Sequence, residues 1–246
     1  MTADAAVRTD VGEIAVSVHS ATTVHRVGYS PTPWKWTDWV YAEDGRFDGR
    51  WDDPGGSWRT LYVGESRLAC LLELLARFRP SASVAEEIAQ IEVDDDEEFP
   101  TAAAGTIPVD WCTPRRSGTA TLSGTYALPG HHRSLAGLRR QFRTKALALG
   151  LDDLDAAAIR DARPRALTRG ISAWLYQVGD DQFPRLDGIE FASRHGDDLT
   201  LWAIYERGGD AEVSPRLRVR SEDIAIDPDD SDLAYAMELL GLSWAD

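Results

Sequence analysis

Cysteine, methionine and lysine are each present only twice in 246 residues. Cys70 and Cys112 form no C-x-x-C pair, which excludes a disulfide-stapled scaffold or a zinc ribbon and points to a reducing compartment; a cytoplasmic location is expected. No stretch approaches the ~18 to 20 consecutive apolar residues that cross a bilayer, and Met1 to Asp10 has no basic start followed by an apolar run. Neither a membrane span nor an export signal is expected. Positive charge is also short: 26 Lys and Arg against 41 Asp and Glu give a net charge of −15. That sign opposes nonspecific nucleic-acid binding and suits a basic protein partner. Only Lys35 and Lys145 are lysine, so any anion site here uses planar, bidentate guanidinium groups.

Several standard sites are missing as well. There is no G-x-x-x-x-G-K-[ST] phosphate loop, no G-x-G-x-x-G after a strand and no G-x-S-x-G elbow. His131 and His132 are adjacent and lack a converging ligand pattern, so they read as loop residues and no metal is expected.

What is present is an ordinary globular composition, 43% hydrophobic and 27% charged, at a length suited to one domain. Residues 1–13 read as a flexible N-terminus and 14–246 as the folded domain. Alternation marks strands at Ile14 to Val18 and Val24 to Tyr29, the latter carrying Arg26. From Ser30 to Arg59 the chain is rich in Pro, Gly, Asp and Trp, too long and aromatic for a passive connector, and is expected to build part of a site. Thr60 to Val63 reads as a strand, and Ser66 caps a helix from Arg67 to about Phe78 that Pro80 stops. Leu68, Leu71, Leu72 and Leu75 share its core face. Glu73 lies round from them, with Ala69, Cys70, Ala76 and Arg77 as surface neighbours.

Strands are expected at Ile88 to Val93 and Thr106 to Val109, separated by the acidic, solvated run Asp94 to Glu98. Helices follow from a Ser134 cap to Gly150, over Leu154 to Ala162, and from Thr168. Strands return at Gly188 to Ser193, Leu199 to Tyr205 and Arg216 to Ile226, and a terminal helix runs from Asp232 to Leu240 and ends at Gly241. Elements in blocks rather than strict alternation predict an α+β domain. Ser193 and His195, two apart on a strand, share a face and raise a nucleophile-and-base reading, but no third group or oxyanion element accompanies them.

Three separated segments stand out: Arg26 after Val-His; Gly49-Arg50-Trp51-Asp52-Asp53-Pro54 through Arg59-Thr60-Leu61-Tyr62 into the Glu73 helix; and Gly188-Ile189-Glu190-Phe191-Ala192-Ser193. Together, over residues of about 24–206, they resemble the RES family, named for an arginine, a glutamate and a serine. The resemblance implies a single α+β domain like the ADP-ribosyltransferase fold, a mixed β-sheet core with flanking helices. It implies Arg26, Glu73 and Ser193 in the catalytic roles, and Arg26, Arg50, Tyr62 and Ser193 as binding residues. Two Gly-Arg-aromatic-Asp segments occur, Gly45 to Asp48 and Gly49 to Asp52, and only the second keeps the spacing to Leu61-Tyr62; the match to Arg50 is looser than that to Arg26, and the sequence leaves open whether Arg46 or Arg50 faces the site.

Such proteins are bacterial toxins that consume NAD+ as substrate, with no separate cofactor, as glycohydrolases, phosphorylases or ADP-ribosyltransferases. An Xre-type helix-turn-helix antitoxin is the implied partner, and an oligomer with it is the implied assembly. The residue types fit: cleaving the nicotinamide bond places positive charge on the ribose C1′, which a carboxylate such as Glu73 stabilises. The alternative from another class is a noncatalytic binding module that has kept the fold.

Overall fold

A computed structural model describes residues 5–79, 105–161, 163–179 and 185–245. The expected strand at Ile88 to Val93 and the acidic run Asp94 to Glu98 lie outside them. The described residues form one mixed α+β fold with a large sheet. Its strands are β1 (Ala5–Thr9), β2 (Gly12–Tyr29), β3 (Thr60–Gly64), β4 (Thr106–Ile107), β5 (Arg115–Ala127), β6 (Gly188–Ala192), β7 (Thr200–Tyr205), β8 (Leu217–Ala225) and β9 (Ser243–Trp244). The α-helices are α1 (Arg67–Leu75), α2 (His132–Ala148), α3 (Ala156–Asp161), α4 (Arg165–Gln177) and α5 (Ser231–Leu240).

Strand pairings β2 with β3, β3 with β7, β7 with β6, β6 with β5 and β5 with β2 close a ring of five strands. All are antiparallel except β5 with β6, and β1 and β8 extend the ring on β2 and β5. Side-chain alternation gives the sheet two packed faces. One carries Ile14, Val16, Val27, Ile189, Phe191 and Ala203 against α1, α2 and α4. The other gathers Val24, Leu61, Val63, Leu122, Tyr126, Trp202 and Ile204, with Trp34 and Trp36 of the long loop packed among them.

Residues 5–13, expected to be flexible, are a correction: β1 pairs with the start of β2 from Ala5 opposite Val16 to Thr9 opposite Gly12, and Val7 is buried. Backbone pairing and that one apolar side chain order a segment whose polar composition conceals it. The two strands expected between Ile14 and Tyr29 are one, interrupted by an irregularity between His19 and Thr22. Strand β5 has no counterpart among the expected elements, because its sequence is mostly Ser, Thr, Gly and Arg. Small residues are needed there: a Cβ at Gly118 would sit 2.4 Å from the Ser221 carbonyl oxygen and 2.7 Å from Trp34 Nε1.

The helix ends follow capping chemistry. Ser66 accepts a hydrogen bond from Ala69 N at 3.1 Å and starts α1 as expected. Gly241, at φ 65°, closes α5 in the left-handed conformation that glycine tolerates. The cap of α2 is His131 rather than Ser134; Ser134 lies inside the first turn, where its hydroxyl accepts from Ala15 N at 2.9 Å and ties α2 to β2. Helix α4 begins at Arg165, three residues before the expected Thr168. Within the described residues no helix is long and apolar enough to cross a membrane.

Candidate active site

A cavity of about 860 Å³ opens between the C-terminal half of α1, the ends of β2 and β6 and the segment before β3. Glu73 reaches it from α1. The leucines of α1 pack into the core and its N-terminal Ser66 fixes its entry, which leaves Glu73 half-buried on the cavity side. Ala69 and Cys70, expected as surface neighbours of Glu73, are buried instead: that flank of α1 lies on β2, with the Cys70 thiol donating to the His25 carbonyl at 3.2 Å.

Ser193 follows directly after β6 and is fully buried. Its backbone N–H donates to the Leu199 carbonyl at 2.8 Å, closing the turn to β7. Its hydroxyl donates to Glu73 Oε1 at 2.6 Å and accepts from His195 N at 2.9 Å. The serine proton is therefore directed at Glu73, and the nucleophile-and-base pairing with the His195 ring finds no support in this arrangement. Burial lowers the pKa of His195 below its ordinary value; Glu73 opposes that shift, and Arg194, Arg79 and Arg50 reinforce it.

Arg50 is held by a clamp built from its own segment. Tyr62 donates its hydroxyl to Asp52 Oδ1 at 2.9 Å and accepts from Trp51 N at 2.8 Å, while Gly49 N donates to Asp52 Oδ2 at 2.5 Å. Burial, with Asp52 nearby, pushes the Tyr62 hydroxyl well above its usual range, so its proton stays in place. Helix α4 grips the same segment: Ser172 donates to the Trp51 carbonyl at 2.6 Å, Arg169 to that of Gly49 at 3.1 Å and Arg165 to that of Asp48 at 2.8 Å. Arg50 donates in turn to the carbonyls of Arg160, at 2.7 Å, and Ala192, at 3.4 Å, and lies over the Phe191 ring. Arg46 is exposed and lines none of the cavity, so of the two candidates Arg50 faces it.

Arg26, on β2, donates to the carbonyls of Pro33 and, at 2.5 Å, Tyr62, and burial lowers its pKa to about 10. It remains a cation at neutral pH. The structure thus brings Arg26, Arg50, Tyr62 and Glu73 to one cavity, with Ser193 bonded to Glu73 at its edge. The long loop contributes Thr37 and Gly49 to the lining, but Trp34, Trp36, Trp51 and Trp58 are core residues that anchor it.

Sequence reasoning missed six further arginines on the lining: Arg77, Arg79, Arg115, Arg163, Arg165 and Arg194. No carboxylate among the described residues lies within 4.0 Å of any cavity arginine, whereas Arg59, Arg67, Arg116, Arg139, Arg160, Arg169 and Arg216 outside it are ion-paired. The only sequence signal for this was the near-absence of lysine. No group of His, Cys, Asp and Glu able to hold a metal occurs among the described residues.

No curated protein and no solved structure matches the chain. A family model does, over a span that holds Arg26, Arg50, Tyr62, Glu73 and Arg115 but not Ser193. Residues 23–139 match the RES domain, the family the motifs resemble and one associated with NAD+-using, toxin-like proteins.

Proposed function

We propose that this protein cleaves NAD+ at the bond between nicotinamide and ribose and passes ADP-ribose to water, phosphate or a protein acceptor. The observation that carries the reading is the Ser193 hydroxyl bonded to Glu73 Oε1 at 2.6 Å in a cavity whose arginines lack described carboxylate partners. Arginines Arg26 and Arg50 bind the diphosphate, matching bidentate donors to phosphate oxygens. Tyr62, held rigid by Asp52 and Trp51, gives the nicotinamide ring an aromatic wall.

The bond from C1′ to the pyridinium nitrogen breaks and its electron pair neutralises the departing nicotinamide. Positive charge develops on the ribose, where the Glu73 carboxylate stabilises it. The acceptor oxygen then bonds to C1′ and its proton leaves to solvent or to the carboxylate. Ser193 positions Glu73 and keeps the carboxylate aimed at the ribose. NAD+ is substrate here and no separate cofactor is required. The cellular outcome is growth arrest through NAD+ loss, relieved in the cytoplasm by an Xre-type helix-turn-helix antitoxin that the acidic chain attracts through basic residues.

Chromatography of NAD+ incubated with the purified protein, with and without phosphate, tests the reaction. Free nicotinamide is expected, with ADP-ribose or its 1-phosphate identifying the acceptor. Absence of nicotinamide release with water, phosphate and protein acceptors supplied would favour the noncatalytic binding module.

A further inference from the structure

One end of the cavity is not used by this reaction. Tyr29 lies three residues beyond Arg26 on β2, about 10 Å along a strand. Arg77 lies one turn beyond Glu73 on the other wall. Between them stands Arg115, 8% exposed, with its guanidinium carbon 4.9 Å from the Tyr29 ring centre and 4.2 Å from that of Trp111. It donates to the Trp111 carbonyl at 2.5 Å and to the Tyr29 hydroxyl at 3.2 Å. These bonds use two of a guanidinium's five N–H donors. Neither Arg115 nor Arg77 has a described carboxylate within 4.0 Å, although the chain as a whole is strongly acidic.

We propose that Arg115 and Arg77, with Tyr29 and Trp111, bind a phosphate monoester on the adenosine ribose, so that the 2′-phosphorylated dinucleotide, NADP+, is the preferred substrate. This inference rests on the reading of the cavity as a dinucleotide site. A dinucleotide with its nicotinamide ribose at Glu73 and its diphosphate along Arg26 and Arg50 directs its adenosine to this end. Tyr29, 63% exposed, offers the adenine a ring face. A 2′-phosphate adds about −1.5 to −2 charges, and the guanidinium groups of Arg115 and Arg77, both on the cavity lining, find in it a counter-ion that no described carboxylate provides. Burial lowers the pKa of Arg115, and Arg77 nearby adds to that, a cost that a bound dianion removes.

Titration calorimetry with adenosine 2′,5′-bisphosphate, with AMP, and with AMP plus millimolar inorganic phosphate tests the subsite. The bisphosphate is expected to bind the wild type at least about tenfold tighter than AMP, as one charge-assisted contact provides. In Arg77→Ala, an exposed position, and in Arg115→Met, that preference falls to about twofold or less. Equal binding of both nucleotides by the wild type overturns the proposal, as does a preference retained in both variants. Inorganic phosphate that strengthens AMP binding to the level of the bisphosphate assigns the site to free phosphate and overturns it too. Failure of the underlying reaction is seen separately: selective bisphosphate binding with no nicotinamide released from either dinucleotide removes the substrate assignment, while NAD+ cleavage without nucleotide preference removes only the subsite.

Discussion

The hydroxyl of Ser193 donates to Glu73 Oε1 at 2.6 Å across 120 residues of sequence, joining the end of β6 to the cavity face of α1. Each residue alone has an ordinary explanation, a strand-end serine and a surface glutamate beside Arg77. Their bond, and the absence of any ion pair between Glu73 and Arg77 among the described residues, assigns them to one arrangement.

Ser193→Ala removes the donor that orients Glu73 and the acceptor that satisfies His195 N. Nicotinamide release is expected to fall about tenfold, with a loss of stability of about 1–2 kcal/mol. Steady-state rates beside urea unfolding midpoints separate the two effects, since a purely structural serine changes only the midpoint.

Gly49→Ala tests the clamp that presents Arg50. A Cβ there would stand 2.5 Å from Asp52 Oδ2 and 2.6 Å from the Tyr62 hydroxyl, so both must move. Turnover is expected to drop about 10- to 100-fold through misplacement of Arg50 and Tyr62. Activity equal to the wild type would show that the clamp does not set their positions.

On the opposite face of the sheet, Glu190 accepts from Ser17 at 2.7 Å and Trp202 at 3.0 Å and pairs with His19 at 2.7 Å. Burial raises its pKa, but the hydrogen bonds and charge from His19 and the bonds from Ser17 and Trp202 outweigh that and hold it below the usual glutamate range. A carboxyl depressed in the folded state adds stability above its unfolded pKa of about 4.3, and that stability is lost as pH falls through the lower folded value. Glu190→Gln is expected to destabilise at pH 7 by about 1–3 kcal/mol, with the gap to wild type narrowing toward about pH 3. A gap constant across that range would contradict the assignment.

Both thiols are buried, and burial raises the Cys70 pKa to about 11 against the opposing influence of Arg26. Native protein at neutral pH is expected to react with a maleimide far more slowly than a free thiol, with both cysteines reacting after unfolding in denaturant. Rapid native modification of Cys70, seen by mass spectrometry, would show that the packing of α1 on β2 opens.

Where chemistry is local, the sequence is readable. Ser66, the leucine spacing of α1 and Gly241 each specify an element end or face through capping and periodicity. The same periodicity set Glu73 apart from the core. Strand β5 was not readable, because its small polar residues are chosen for close approach to Trp34 and Ser221 rather than for apolar alternation. Nor was the placement of Arg77 and Arg115 on one cavity, which follows only from the pairing of β2 with β5 and the position of α1. The tryptophans between Ser30 and Arg59 marked a structured loop, but their part is to anchor it in the core while Thr37, Gly49 and Arg50 face the cavity.

The most direct measurement is nicotinamide release by wild type and Glu73→Gln under identical NAD+ concentration, with thermal unfolding recorded for both. The account predicts a loss of about 100-fold or more in rate, as expected for removal of a charge that stabilises the transition state, with the unfolding temperature close to that of the wild type. A Glu73→Gln rate equal to the wild type's, in a protein that remains folded, would contradict it.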